Sequence, residues 1–228
     1  MTRMFITPDG RRMKTWNIFS GCKFDCYYCW ARKLVTTRLA HLEKYCSVGF
    51  IPTFHPAELK AKFKPNEFVF VSSLGDISFA TWSELKQILS VIQKYPQTKF
   101  LLQTKDPAIF MDGRIWEDNI YHGATIETNR EITVSKAPQP IKRYHAFAEN
   151  NHPHKFLSIE PIMDFDLEIF LSWIKDINPE IVEVGADNYR SLLPEPSWDK
   201  VEALLKGLRD ICPVVIEKEG LERLKHEY

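Results

Sequence analysis

The sequence predicts an α/β protein built on a parallel β-sheet, and three observations predict it. Apolar, strand-like runs alternate with amphipathic helical stretches, the pattern of repeated strand–helix–strand units. Several of the strand-like runs are apolar on both faces, as parallel strands buried on both sides are. Five of them end in polar residues, and the C-terminal ends of parallel strands are where α/β folds collect functional groups. Six or seven such strands make either an open doubly wound sheet or an incomplete (β/α) barrel, and periodicity does not choose between them.

The elements follow in order. Residues 14–19 (KTWNIF) form an early strand. Residues 67–74 (EFVFVSSL) are β-rich and stop at Gly75-Asp76. The helix 81–95 places Trp82, Leu85, Ile88, Leu89 and Ile92 on one face. Thr81 and Glu84 form its capping box, and Pro96 follows its end. Strands at 98–105 and 119–127 come next, then a helix over 139–150, a strand at 154–161, and a helix over 166–177. A strand at 179–186 precedes the helix 197–211, with Ser197 as N-cap, and a short strand at 213–219 completes the series. The polar strand ends are Ser72 to Asp76, Gln103 to Lys105, Thr125 to Arg130, Ser158 to Pro161 and Gly185 to Asn188.

The 228 residues suit a single domain, 1–228, with its core over about 14–219. Lys+Arg and Asp+Glu are 30 each, so the net charge is zero. Residues 1–64, however, hold 12 basic side chains against four acidic ones, an excess of eight positive charges that the rest of the chain balances. That asymmetry reads either as a solvated surface or as a positive face for an anionic substrate or an acidic redox partner. No apolar run is long enough for a membrane span, and the N-terminal stretch has no signal-peptide core. Five cysteines in an ordinary globular composition do not make a disulfide scaffold. The expectation is a cytoplasmic protein with reduced thiols and no membrane contact.

Three of the five cysteines, Cys22, Cys26 and Cys29, fall in the stretch GCKFDCYYCWA with spacing C-x3-C-x2-C. A structural zinc site wants four protein ligands in recognisable pairs. Cys46 and Cys212 have no CxxC partner, and no HxxxH lies nearby. Buried cysteines acting as small hydrophobes are a second explanation. A third is an iron–sulfur cluster held by soft thiolates. Three thiolates on a four-iron cubane leave one iron open for an amino and a carboxylate group.

The pattern resembles the C-x3-C-x-Φ-C signature of the radical SAM superfamily, with Tyr28 at the aromatic position. The likeness continues through residues 14–190. TWN, GC…C.YC.A, FVFVSSLGDIS, LLQTKDP, ATIETNR, LSIEP and IVEVGADN resemble, in order, a family of phage- and prophage-associated radical SAM proteins of unassigned substrate. A fainter similarity is to spore photoproduct lyase, a DNA-repair member. The resemblance implies a partial (β/α)6 TIM-like barrel, a [4Fe–4S] cluster and S-adenosylmethionine (SAM). It further implies reductive cleavage of SAM to a 5′-deoxyadenosyl radical that abstracts hydrogen from a substrate.

By the same resemblance Cys22, Cys26 and Cys29 ligate iron, and Tyr28 packs near adenine. Ser72, Ser73 and Asp76 hold the methionyl group. Many superfamily members carry Gly-Gly-Glu at that turn, and here Ser73-Leu74-Gly75-Asp76 replaces it with a shorter carboxylate. Glu127 and Arg130 meet ribose hydroxyls and the SAM carboxylate, Gln103, Lys105 and Glu160 at the strand ends are further cofactor-binding residues, and Gly185 to Asn188 offer backbone to adenine. Trp16, Asn17 and Trp30 shield the cluster. The expected partners are an electron donor such as flavodoxin or ferredoxin and a nucleic-acid or nucleotide substrate. The alternatives are a peptide- or protein-modifying enzyme and, in another class, a non-catalytic zinc-binding interaction module.

Overall fold

A computed structural model describes residues 5–226. The chain forms β1 (Lys14–Trp16), β2 (Phe19–Ser20), α1 (Trp30–Thr36), α2 (Glu43–Cys46), β3 (Thr53–Phe54), β4 (Phe68–Val71) and α3 (Trp82–Ile92). It continues through β5 (Lys99–Thr104), β6 (Ile120–Thr125), α4 (Pro140–Ala148), β7 (Lys155–Ile159), α5 (Leu167–Ile177), β8 (Ile181–Val184), α6 (Trp198–Ile211) and β9 (Val214–Glu217). Seven strands make one sheet in the order β1-β4-β5-β6-β7-β8-β9, every neighbouring pair parallel. A doubly wound sheet reverses its strand order at a switch point. Here spatial order follows chain order throughout, so the sheet curls into a half-barrel.

The two faces of the sheet bury different layers. Outward residues such as Val69, Val71, Leu102, Leu157 and Val182 pack against Leu85, Ile88, Phe170, Ile174, Leu204 and Leu208 of the surrounding helices. Each fully buried aliphatic or Phe side chain contributes about 1.5–3 kcal/mol. Inward residues Phe68, Phe70, Leu101, Tyr121, Phe156, Ile181 and Ile216 fill the lumen, joined by Phe5, Ile6 and Met13 from the N-terminal segment. The next inward positions toward the C-terminal ends are polar, so the lumen changes from hydrophobic plug to polar floor along the barrel axis.

Local sequence explains most boundaries. The capping box at Thr81 and Glu84 opens α3. Pro140 occupies the first turn of α4, where its missing N–H costs nothing. Asn178, in the left-handed region at φ 51°, closes α5. Ser197 holds the N-cap position of α6, but its side chain makes no capping bond.

The predicted strand at 14–19 is split. The Asn17 side chain accepts hydrogen bonds from Ser73 Oγ and Leu74 N, both 3.0 Å, which draws the chain off the sheet. β2 then pairs antiparallel with β3 in a separate two-stranded unit. Helices α1 and α2 and strand β3 are elements that the sequence pattern does not announce. β5 and β6 are joined by a 3-10 turn, Pro107–Phe110, rather than an α-helix. Among the described residues no helix is long and apolar enough to cross a membrane.

Candidate active site at the mouth of the half-barrel

The cysteine loop leaves β2 through Gly21 and is pinned to the turn after β4. Gly21 N donates to Leu74 O at 2.9 Å, and Asp76 N donates to Gly21 O at 3.1 Å. Cys29 is the N-cap of α1, its sulfur accepting from Arg32 N at 3.4 Å. Cys22 Sγ accepts from Phe24 N at 3.3 Å, and Cys26 Sγ lies 3.1 Å from Ser135 Oγ. All three are free thiols. Burial pushes the Cys22 thiol far up, helped by Asp76, and burial also raises Cys29. Among the described residues no three His, Cys, Asp or Glu side chains converge closely enough to hold a single metal ion.

The three cysteines line one cavity of about 620 Å³ at the C-terminal ends of the strands, a size within the range of small-molecule sites, roughly 300–1,000 Å³. Tyr28, Ser73, Asp76, Gln103, Lys105 and Glu160 line it as well. The topology thus brings together nine of the thirteen residues that the sequence singles out. Ser72, Glu127, Arg130 and Gly185 do not face the cavity. Ser72 is buried in the turn at φ 62°, and its hydroxyl has no partner among the described residues. Arg130 is exposed and pairs with Asp164 and Asp166. Trp16 lies in the outer core against Phe63 and Phe100, away from the cysteines, whereas Trp30 lines the cavity.

Asp76 ties two strand ends together. Its Oδ1 accepts from Thr104 Oγ1 (2.6 Å), Ser78 Oγ (2.7 Å) and Ser78 N (3.0 Å), and its Oδ2 from Lys105 N (2.9 Å). Glu127 sits fully buried beneath the cavity wall. Its Oε1 accepts from Tyr28 OH and Lys105 Nζ, and its Oε2 from the buried Arg143 at 2.7 Å. Against the cost of burial, Arg143 and Lys105 hold the Glu127 carboxyl down at about 2. Glu127 therefore acts on the cavity through Tyr28 and Lys105, which face it.

On the opposite wall Lys218, nearly fully buried, donates to Glu160 Oε2 and lies 3.6 Å from Glu183 Oε2. Glu183 Oε1 accepts from Ser158 Oγ at 2.6 Å. Burial pushes the Glu160 carboxyl upward, and so does Glu183, against the pull of Lys218. Gly185 is needed beneath it: a Cβ there would lie 2.8 Å from Glu160 Oε1.

Lys218, Glu183, Arg143 and Arg38 are site residues that sequence reasoning missed. Two had a signal. Glu183 interrupts the otherwise apolar IVEV, and Lys218 follows the last strand as polar residues follow the others. Arg143 looks like any exposed arginine on an amphipathic helix. Of the basic side chains among the described residues up to Lys64, only Arg38 lines the cavity.

Two solved structures share the fold. One, spore photoproduct lyase complexed with dinucleoside spore photoproduct, matches with a TM-score of 0.57 and 9% identity, over 89% of this chain and 75% of that one. The other, a cysteine-to-alanine mutant of spore photoproduct lyase with dinucleoside spore photoproduct, matches at 0.53 and 11%, over 86% of this chain. This chain spans 61% of that second structure's length. No curated protein sequence matches. A family model matches residues 12–191, from the start of the barrel to the loop after β8, so the chain belongs to the family described as "Protein of unknown function (DUF5131)".

Proposed function

We propose that this protein is a radical SAM enzyme in which Cys22, Cys26 and Cys29 hold a [4Fe–4S] cluster and the adjoining cavity holds SAM and substrate. One observation carries the reading: the C-x3-C-x2-C loop sits at the C-terminal mouth of a parallel half-barrel, with all three thiols on one cavity. The donor set suits the group. A mononuclear zinc site focuses its thiolates on one point, at Zn–S of about 2.3 Å. A cubane asks for one thiolate per iron, spread over a cage, and leaves the fourth iron open. The buried thiols must lose their protons on binding, as metal ligands do. N–H groups onto the sulfurs of Cys22 and Cys29 would steady the thiolates and tune the cluster's potential.

When bound, the cluster and SAM supply a one-electron cleavage yielding the 5′-deoxyadenosyl radical that takes hydrogen from substrate. The chain supplies position and shelter. Phe24, Trp30 and Phe50 exclude water on the cysteine side. Lys105, fixed by Glu127, presents an ammonium toward a carboxylate in the cavity, and Gln103 Oε1, buried and without a hydrogen-bond partner among the described residues, is an acceptor for an amino group. We place the substrate among nucleotides, because spore photoproduct lyase is seen with a dinucleoside on this same fold and the cavity is lined by aromatic rings.

The test is anaerobic reconstitution with iron and sulfide, followed by reduction with dithionite in the presence of SAM. About four irons per chain and release of 5′-deoxyadenosine are expected. A colourless protein that takes up one zinc and binds no SAM would overturn the reading in favour of a zinc module.

A further inference from the structure

The polar floor of the lumen is organised as a continuous belt. Gln103 Nε2 donates to Thr125 Oγ1 at 2.9 Å. Thr125 is the register partner of Ser158, and Ser158 that of Glu183. Ser158 donates to Glu183, and Lys218 bridges Glu183 and Glu160. Below the belt lies the apolar plug of Phe70, Leu101, Tyr121 and Phe156. Beside it stand Phe5, whose ring faces the Lys218 ammonium at 5.4 Å, and the half-exposed Tyr189 at the rim.

The belt offers a particular set of hydrogen-bonding groups. Glu160 Oε1 takes no hydrogen bond among the described residues. One carboxylate oxygen thus awaits N–H donors, and one ammonium stands between the two carboxylates. Among the described residues, five carboxylates line the cavity against three cations, and two of those cations, Lys105 and Lys218, are paired with glutamates. A phosphate placed beside Glu160, Glu183 and Lys218 would meet net negative charge. The third cation, Arg38, is exposed at the rim.

We propose that the floor reads the Watson–Crick edge of a guanine-type base, with Glu160 accepting its adjacent N–H groups, Lys218 donating to its ring carbonyl, and its phosphates left outside near Arg38. Guanine alone among the common bases places two neighbouring N–H donors beside a carbonyl on one edge. Its flat ring suits the walls formed by Phe5 and Tyr189. The assignment rests on the proposed function for the identity of the substrate, but the belt itself is built from β5 to β9 and not from the cysteine loop.

The experiment is equilibrium titration of reconstituted, SAM-saturated protein with guanosine, inosine, thymidine, GMP and spermidine. Guanosine should bind at least about tenfold more tightly than inosine, which lacks the 2-amino group, and than thymidine. Adding the 5′-phosphate should change affinity less than removing the amino group does. Glu160→Gln should weaken guanosine by about tenfold or more while leaving SAM affinity unchanged. Ser158→Ala, a milder change, should weaken it less, which keeps the test alive if Glu160→Gln does not fold.

Equal binding of thymidine, binding of spermidine without nucleosides, or dependence on phosphate alone would each overturn the assignment. A loss of SAM affinity in Glu160→Gln would overturn it too, by giving this wall to SAM. Iron content and SAM binding are measured on the same samples. Protein that holds both and ignores guanosine sinks this inference alone. Protein that holds neither sinks the cofactor reading, and the same titration on it still decides whether the floor takes the base.

Discussion

The backbones of Gly21 and Gly75 lie in direct contact, forming a parallel bridge between the cysteine loop and the turn after β4. A Cβ on Gly75 would stand 2.8 Å from Gly21 O, and one on Gly21 would stand 2.2 Å from Ile51 O. Gly21 also sits at φ 84°, a region that side chains avoid. This contact sets Cys22 against the Asp76 turn. Gly21→Ala is expected to cost about 2–4 kcal/mol, from overpacking against rigid backbone and from the disfavoured φ. A lower melting temperature and reduced iron uptake would both register it. Unchanged values for both would show that the loop is free to move.

The cysteine series separates ligands from packing. Cys22→Ala, Cys26→Ala and Cys29→Ala should each lose most iron and sulfide after reconstitution. Cys46 is exposed and Cys212 is buried in the outer core, so their Ala variants should retain the cluster, with Cys212→Ala showing only a modest drop in stability. Retention of a full cluster in Cys26→Ala is the outcome that contradicts the assignment.

Glu127 holds the buried Arg143, the cavity-lining Lys105 and a phenol at once. Glu127→Gln leaves Arg143 and Lys105 without their shared counter-charge, and breaking a buried pair costs about 3–5 kcal/mol. The folded carboxyl, at about 2, lies below its unfolded value of 4.5. Its contribution is therefore complete above pH 4.5 and lost as the pH falls toward 2. Chemical denaturation at pH 7 should show the full loss in Glu127→Gln, and the difference from wild type should shrink in strong acid.

A buried histidine makes the opposite end of the barrel acid-sensitive. His122 stacks between Phe110 and His152, with ring centroids 4.1 and 4.0 Å away. Its ring nitrogens lie 2.8 Å from Ile115 O and 2.9 Å from Asn150 Nδ2, a pattern that fits the neutral ring. Burial, with His152 beside it, lowers its pKa to about 3, against 6.5 unfolded. A depressed folded value means that stability is complete above pH 6.5 and declines as pH falls toward 3. His122→Gln should flatten the fall in unfolding free energy by about 1.4 kcal/mol per pH unit between pH 6 and 4, measured by urea titration. An unaltered slope would assign the acid sensitivity elsewhere, His55 and His152 being the other histidines whose values burial lowers.

Much of this architecture is legible in the chain. Apolar runs such as FVFV, FLLQT and IVEV specify strands buried on both faces, and their alternation with capped helices specifies a parallel sheet, because period and capping are local properties. The polar strand ends and the spacing of Cys22, Cys26 and Cys29 mark the mouth of the barrel for the same reason. Tertiary structure decided what depends on distant partners. Consecutive strand order curls the sheet, since closure depends on how strands stack rather than on any one of them. Glu127 and Arg130, three residues apart, part company: Glu127 is sealed between Arg143 and Lys105, while Arg130 reaches solvent to meet Asp164 and Asp166. Lys218 joins Glu160 and Glu183 across long stretches of chain, and among the described residues the N-terminal basic excess misses the cavity except at Arg38. A charge's role is set by whichever groups folding brings within a few ångströms of it, and no local pattern encodes that neighbour.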